Sequence, residues 1–277
     1  MNKRIKVHKL HCGEVGVDPA VPFRDVSRNP IAYTGVGRSS KRRIWLPVYA
    51  YLIEHPMGKV LIDTGWHKDV RTKPIKHMST MLYMASKPRL PEGEAIDEQL
   101  MKLGVRTSDL DYVFITHMDC DHASGVKLVK DAKKIMISED ELNAIKKGNI
   151  RYGKHFWQDV NIEGFPMKNS EYGPYRKAYD VFQDGTVLLI DAKGHTKGNF
   201  VVMVRSNDKF ILLTGDCGYA PDSWEKLRMP GPLDNKENML ESLKWIQHMA
   251  QDKNCLGIFA THDPVIKPGI INLDYEK

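Results

Sequence analysis

The chain has 277 residues, 42% of them hydrophobic and 27% charged, with a net charge of +6. That is enough for one domain spanning 1–277 with a substantial core, and the balance reads as an ordinary soluble globular protein. No apolar run approaches the roughly 20 residues of a membrane span, and the basic N-terminus has no apolar h-region, so neither a membrane protein nor a secreted one is expected and the cytoplasm is the compartment implied.

Residues 5–10 alternate apolar and basic side chains, which predicts an edge strand. Residues 13–41 hold Gly, Pro, Ser and charged residues with little periodicity, and so long an irregular stretch reads as a lid over a functional site. Its basic end, Arg38-Ser39-Ser40-Lys41-Arg42-Arg43, would help attract an anionic substrate. Without an aromatic-interleaved basic stripe, nucleic acid ranks well below a small molecule as partner. A strand at 45–53, a turn at 55–58 and a strand at 59–62 form a hairpin ending in Asp63-Thr64-Gly65. Residues 68–87 cluster Met78, Met81, Leu82, Tyr83 and Met84, which reads as a helical lid, as core, or as the contact of a homodimer. A helix over 94–103 stops at Gly104.

The apolar run 110–115 reads as a buried strand, and it feeds directly into Thr116-His117-Met118-Asp119-Cys120-Asp121-His122-Ala123-Ser124-Gly125, with a helix expected to start at Ser124. His117, Asp119, Asp121 and His122 therefore share one tight loop at a strand end, where α/β proteins place chemistry. Imidazole nitrogen suits zinc, iron and similar ions, and carboxylate oxygen suits harder ones. A mixed set points to a first-row transition metal rather than calcium.

Downstream, 133–137 is a short strand and Ser138 an N-cap whose acidic first turn, Glu139-Asp140-Glu141, opens a helix through Lys147. The stretch 149–179 is rich in Gly, Pro and aromatics and reads as an irregular insertion that walls a pocket. A strand at 185–190 precedes Gly194-His195-Thr196-Lys197-Gly198-Asn199. A strand pair, 200–204 and 210–213, ends in Thr214-Gly215-Asp216-Cys217-Gly218-Tyr219. Residues 236–251 have helical spacing, and a last buried strand at 256–260 ends in Thr261-His262-Asp263. The four cysteines, Cys12, Cys120, Cys217 and Cys255, show no Cys-x-x-Cys spacing and read as small buried hydrophobes rather than a disulfide framework.

The loop 117–122 resembles the His-x-His-x-Asp-His signature of the metallo-β-lactamase superfamily, with Asp119 standing where the pattern has its second histidine. The later Gly194-His195, Gly215-Asp216 and strand-end His262 match its remaining motifs in order, from about Leu46 to the C-terminus. The resemblance implies an α/β four-layer αβ/βα sandwich and two divalent metal ions bridged by Asp216. One would be held by His117, Asp119 and His195, the other by Asp121, His122 and His262. Zinc is the ion the resemblance implies, while the carboxylate of Asp119 shifts the expectation toward iron or manganese. Asp63 would sit behind the loop as a partner of His117. Among the hydrolase branches the N-acyl homoserine lactonases are the most similar, because a tyrosine follows their bridging aspartate by three residues, as Tyr219 follows Asp216 here. The implied function is a metal-dependent hydrolase that opens a lactone or related carboxylic ester through a metal-bridging hydroxide, with Asp121 and Tyr219 as catalytic residues. The alternatives are a diiron redox protein related to the flavodiiron core, which the acid at 119 suggests, and a phosphodiesterase or thioesterase of the same superfamily. Asn199 stands where the lactonase pattern has a further histidine.

Overall fold

The computed structural model describes residues 4–148 and 151–274, and the β-branched and aromatic runs become two sheets. The first contains β1 (Arg4–Val17), β2 (Ile44–His55), β3 (Gly58–Ile62), β4 (Lys87–Arg89), β5 (Tyr112–Phe114), β6 (Ile135–Ser138), β7 (Ile162–Phe165) and, from the far end of the chain, β14 (Gly269–Asp274). The second contains β8 (Lys168–Asn169), β9 (Lys177–Asp180), β10 (Val187–Asp191), β11 (Phe200–Ser206), β12 (Lys209–Gly215) and β13 (Cys255–Ala260). Among the described residues the strand orders are β14-β1-β2-β3-β5-β6-β7, with β4 beside β1, and β13-β12-β11-β10-β9-β8. Both sheets are mixed: β3, β5, β6 and β7 run parallel, as do β12 and β13, while the hairpins are antiparallel.

Alternation of side chains along the strands sorts them into layers. Val7, Tyr51, Ile53 and Phe114 from one sheet and Leu189, Phe200, Val202 and Leu213 from the other form the core between the sheets. The opposite face of the first sheet presents Leu52, Val113 and Ile115 to Ile96 and Leu100 of the helix Ile96–Lys102. The opposite face of the second presents Ile190, Val201 and Leu212 to Met239, Leu243 and Ile246 of the helix Lys236–Ala250. Full burial of each such side chain contributes roughly 1.5–3 kcal/mol. The helix–sheet–sheet–helix sandwich expected from the sequence is the fold observed.

Three expectations are corrected. The strand at 5–10 is not an edge: β14 pairs with it from Arg4↔Asp274 to Lys9↔Gly269, and β2 lies on its other side. The expected lid does not begin at Gly13, because β1 continues to Val17 past a register shift between His11 and Glu14. Gly13 sits at that shift with φ +87, and a Cβ there would lie 2.3 Å from the Arg89 carbonyl oxygen. Beyond β1 the segment forms three short 3-10 turns, and two of its arginines are used internally. Arg38 pairs with Asp18 at 2.5 Å, and Arg43 donates to the carbonyls of Met84 and Ala85. Finally, the stretch 149–179, whose first two residues lie outside the described ones, is not irregular throughout. It carries β7, which extends the first sheet, and β8 and the start of β9, which extend the second. Gly164 and Pro166 interrupt the alternation that would have marked them.

The segment 68–87 folds as two short helices, Pro74–Met78 and Thr80–Ala85, with Met78 buried and Met81 and Met84 exposed. Beside them the rings of His67 and His77 stack with centroids 5.0 Å apart. Burial, then the neighbouring His67, push His77 down to about 4. The folded chain thus refuses a proton that the unfolded chain accepts near the ordinary histidine value, so stability should fall as pH drops from about 6.5 toward 4. Urea melts of the chain and of His77→Gln at about pH 7 and about pH 5 should show a smaller acid loss in the variant; equal losses would remove His77 as the cause.

Candidate metal centre

The ligand loop begins where β5 ends, and the helix Cys120–Ala123 starts one turn earlier than expected, with Asp119 at its N-cap. The loop is pinned from below by Asp63 at the end of β3, in a left-handed conformation of φ 60. Its Oδ1 accepts the Thr116 amide at 2.7 Å, and its Oδ2 accepts His122 Nδ1–H at 2.8 Å. The sequence placed Asp63 behind His117. The carboxylate instead orients His122 and reaches His117 only through Thr116, whose Oγ1 lies 3.1 Å from His117 Nδ1. The parallel register Ile62↔Phe114 brings Asp63 beside Ile115, so its carboxylate meets the next residue, Thr116.

Four strand ends then converge. His117 Nε2 lies 3.4 Å from Asp119 Oδ2 and 3.9 Å from Asp216 Oδ2, while His195 Nε2 lies 3.1 Å and 3.5 Å from the same two oxygens. On the other side, His122 Nε2 and His262 Nε2 are each 3.1 Å from Asp216 Oδ1, and His262 Nε2 is 3.4 Å from Asp121 Oδ2. The seven residues thus form two groups sharing Asp216, one oxygen facing each. His122 donates its Nδ1–H to Asp63, and His262 donates Nδ1–H to the Pro47 carbonyl at 2.8 Å, so both rings turn Nε2 toward the carboxylate oxygens. His117 Nε2, His122 Nε2 and Asp216 Oδ1 are buried without a hydrogen-bond partner. Two imidazole nitrogens converging on one buried carboxylate oxygen call for a shared cation. Burial opposes a proton on either ring, but the Asp216 charge outweighs it and raises both pKa values, and imidazole with carboxylate is equally the donor set of a first-row divalent ion. The residues of the second group therefore fit a metal ion as they stand.

Tyr219 is buried beside them. It donates its hydroxyl to Asp216 Oδ2 and stacks on His262 with centroids 4.9 Å apart. Burial, reinforced by the Asp216 charge, holds its phenol well above the ordinary value, so it remains a proton donor. Asn199 is also buried and donates to the Ala192 carbonyl at 3.1 Å, a structural bond that holds the His195 loop closed.

Two residues at the site escape sequence reasoning. Glu141, read as part of an acidic helix start, is fully buried and accepts the amides of Met118 and Gly198, both at 3.1 Å. It staples the first ligand loop to the His195 loop. Arg151 lies in the stretch expected only to wall a pocket. Its Nε and Nη2 donate to the two oxygens of Asp119, each at 2.6 Å, Nη1 donates to the His195 carbonyl at 3.0 Å, and Nη2 lies 2.6 Å from His195 Nε2. Burial opposes charge on Asp119, but Arg151 outweighs it and holds the carboxyl well below the usual range. Burial and Arg151 together push His195 down to about 4, so its ring is neutral at physiological pH. At the first group, then, a guanidinium sits among the donors. A surplus acid in a ligand motif is the only signal that could have prompted a search for such a partner.

Known proteins agree with this picture. A family model described as the metallo-beta-lactamase superfamily matches residues 43–254. The N-acyl homoserine lactonase AttM of Agrobacterium fabrum is 29% identical over 222 residues, covering 79% of this chain and 82% of its own. An N-acyl homoserine lactonase of Bacillus cereus is 24% identical over 219 residues with the same coverage. Among solved structures, a variant of AiiA from B. thuringiensis with N-decanoyl-L-homoserine at its active site superimposes with a TM-score of 0.75 at 21% identity, over 95% of both chains. The dizinc quorum-quenching lactonase AidC does so at 0.61 and 16% identity, over 99% of this chain and 95% of its own. With the family model covering most of the chain and the two-sheet sandwich beneath it, this chain belongs to the metallo-β-lactamase superfamily.

Proposed function

We propose that the chain is a metal-dependent hydrolase that opens a lactone or a closely related carboxylic ester. The observation that carries this is Asp216, which turns one oxygen to each of two His/Asp groups and accepts the hydroxyl of a buried tyrosine. The similarity to N-acyl homoserine lactonases supports the choice of ester over phosphodiester.

His117, Asp119 and His195 would hold one divalent ion and Asp121, His122 and His262 the other, with Asp216 between them. Such a pair supplies Lewis acidity for the carbonyl and an acidified water. The chain's own residues do the rest. Asp63 and the Pro47 carbonyl fix the His122 and His262 rings with Nε2 inward. Asp121, which completes the second group, would take up a proton from the attacking water. Tyr219 holds its proton at Oη until the developing oxyanion or leaving alkoxide competes with Asp216 Oδ2 for it.

Tyr219→Phe should lower kcat by ~10²–10³ while metal content stays unchanged. The defining assay is a pH-stat screen of acyl homoserine lactones and other lactones beside phosphodiesters and thioesters. Lactone opening is the expected result; phosphodiester cleavage without it would move the chain to a nuclease branch of the superfamily.

A further inference from the structure

The two ligand groups are not equivalent, and the difference lies in Arg151. In the second group, His122 and His262 converge on the shared Asp216 oxygen with no guanidinium among their described contacts. In the first, the guanidinium grips both oxygens of Asp119 in the fork geometry that arginine alone can offer. The same Nη2 lies against His195 Nε2, the nitrogen that faces Asp216 Oδ2 at 3.5 Å and is the one an ion there would use. A third contact, from Nη1 to the His195 carbonyl, ties the arginine to the loop it covers. Arginine does not lose its proton in proteins, so this charge cannot be titrated away.

We propose that Arg151 is the built-in cation of the first group. It neutralises Asp119, covers His195 Nε2, and makes the two positions load in order: Asp121, His122, His262 and Asp216 take an ion first and tightly, and His117, Asp119 and His195 take one later and more weakly, after the guanidinium has moved off. The charge arithmetic explains how Asp119 is accommodated. An aspartate paired with an arginine presents the same net charge as the neutral histidine of the family pattern, so in the ion-free chain the surplus negative charge of the first group is cancelled. The inference rests on the metal-centre reading above and adds to it a residue, an order and a difference in affinity.

The experiment is a zinc titration of the demetallated full-length chain, followed by calorimetry and by competition with a chromogenic chelator. The unaltered chain should take one zinc per chain tightly and a second at least about tenfold more weakly, the minimum expected if a buried ion pair must be broken first. In Arg151→Met, which removes the charge but keeps most of the bulk, the second constant should tighten by about tenfold or more while the first changes little. Arg151→Lys keeps the charge but loses the fork, and should narrow the gap partway; it carries the test if the methionine variant does not fold. Two equal zinc constants in the unaltered chain would overturn the proposal, as would a gap that persists unchanged in a folded Arg151 variant. A chain that binds no zinc, iron or manganese at all would instead bring down the metal centre on which the proposal stands.

Discussion

Asp216→Ala is expected to abolish both ion uptake and turnover, the largest single effect at the site. One oxygen of this carboxylate lies 3.1 Å from both His122 and His262, and the other faces His117 and His195 while accepting the Tyr219 hydroxyl. No other residue touches both groups and the tyrosine among the contacts described above. Deleting it leaves four buried imidazoles with no shared anion and strips the phenol of its acceptor. With several kcal/mol of transition-state stabilisation assigned to the ion pair, the rate should fall by ~10³ or more. Elemental analysis and lactone kinetics on the same preparation provide the check, with circular dichroism to show that the sandwich survives. Retention of activity within about tenfold of the parent would mean that the chemistry does not pass through this carboxylate.

Glu141→Gln tests the staple rather than the ligands. The two carboxylate oxygens each accept one backbone amide, from Met118 between two ligands and from Gly198 three residues beyond His195. A glutamine of the same shape offers one acceptor and one donor, so one buried N–H must face an NH₂ group. An unsatisfied buried donor costs about 1–3 kcal/mol. For a chain of this size that corresponds to a melting temperature lower by roughly 2–8 °C. Because the staple sets the positions of two ligand loops, kcat should fall as well, by ~10–100-fold, the range seen when a ligand's supporting bond is lost. Thermal melts and kinetics read together decide it: an unchanged pair of values would show that the loops hold their positions without Glu141.

These residues also show where sequence reading ends. The strands that deliver the ligands were legible because each apolar run gives way to a short polar turn that carries a His or an Asp. The fold followed from that series, and so did the seven residues that converge. Strand β14 was not legible: Gly269–Asp274 is mostly exposed, with only Leu273 fully buried, so its hydrophobic alternation is faint. Asp63 was identified as a supporting acid, but which imidazole it serves depends on the register between β3 and β5, which no local pattern encodes. Arg151 was invisible for a different reason. Its partner lies 32 residues away, and an ion pair has no period. Glu141 was masked by its own plausibility, since an acid in the first turn of a helix already has an explanation in the helix dipole.

The convergence of strand ends has a consequence for the durability of the molecule. His117 follows a strand of the first sheet, whereas His195, Asp216 and His262 follow β10, β12 and β13 of the second. An ion shared across these loops would bolt two separately hydrogen-bonded sheets together at one end, reinforcing the few hydrogen bonds that already cross there, such as His262 to the Pro47 carbonyl and the Tyr49 amide to the Thr261 carbonyl. Occupancy then works as a rivet: at free ion a hundredfold above Kd, a ligand bound only by the native state adds about 2.7 kcal/mol to stability. The same chelator that silences the chemistry would leave the sandwich free to open from the active-site end, so catalytic competence and resistance to heat or proteolysis would rise and fall together with metal supply.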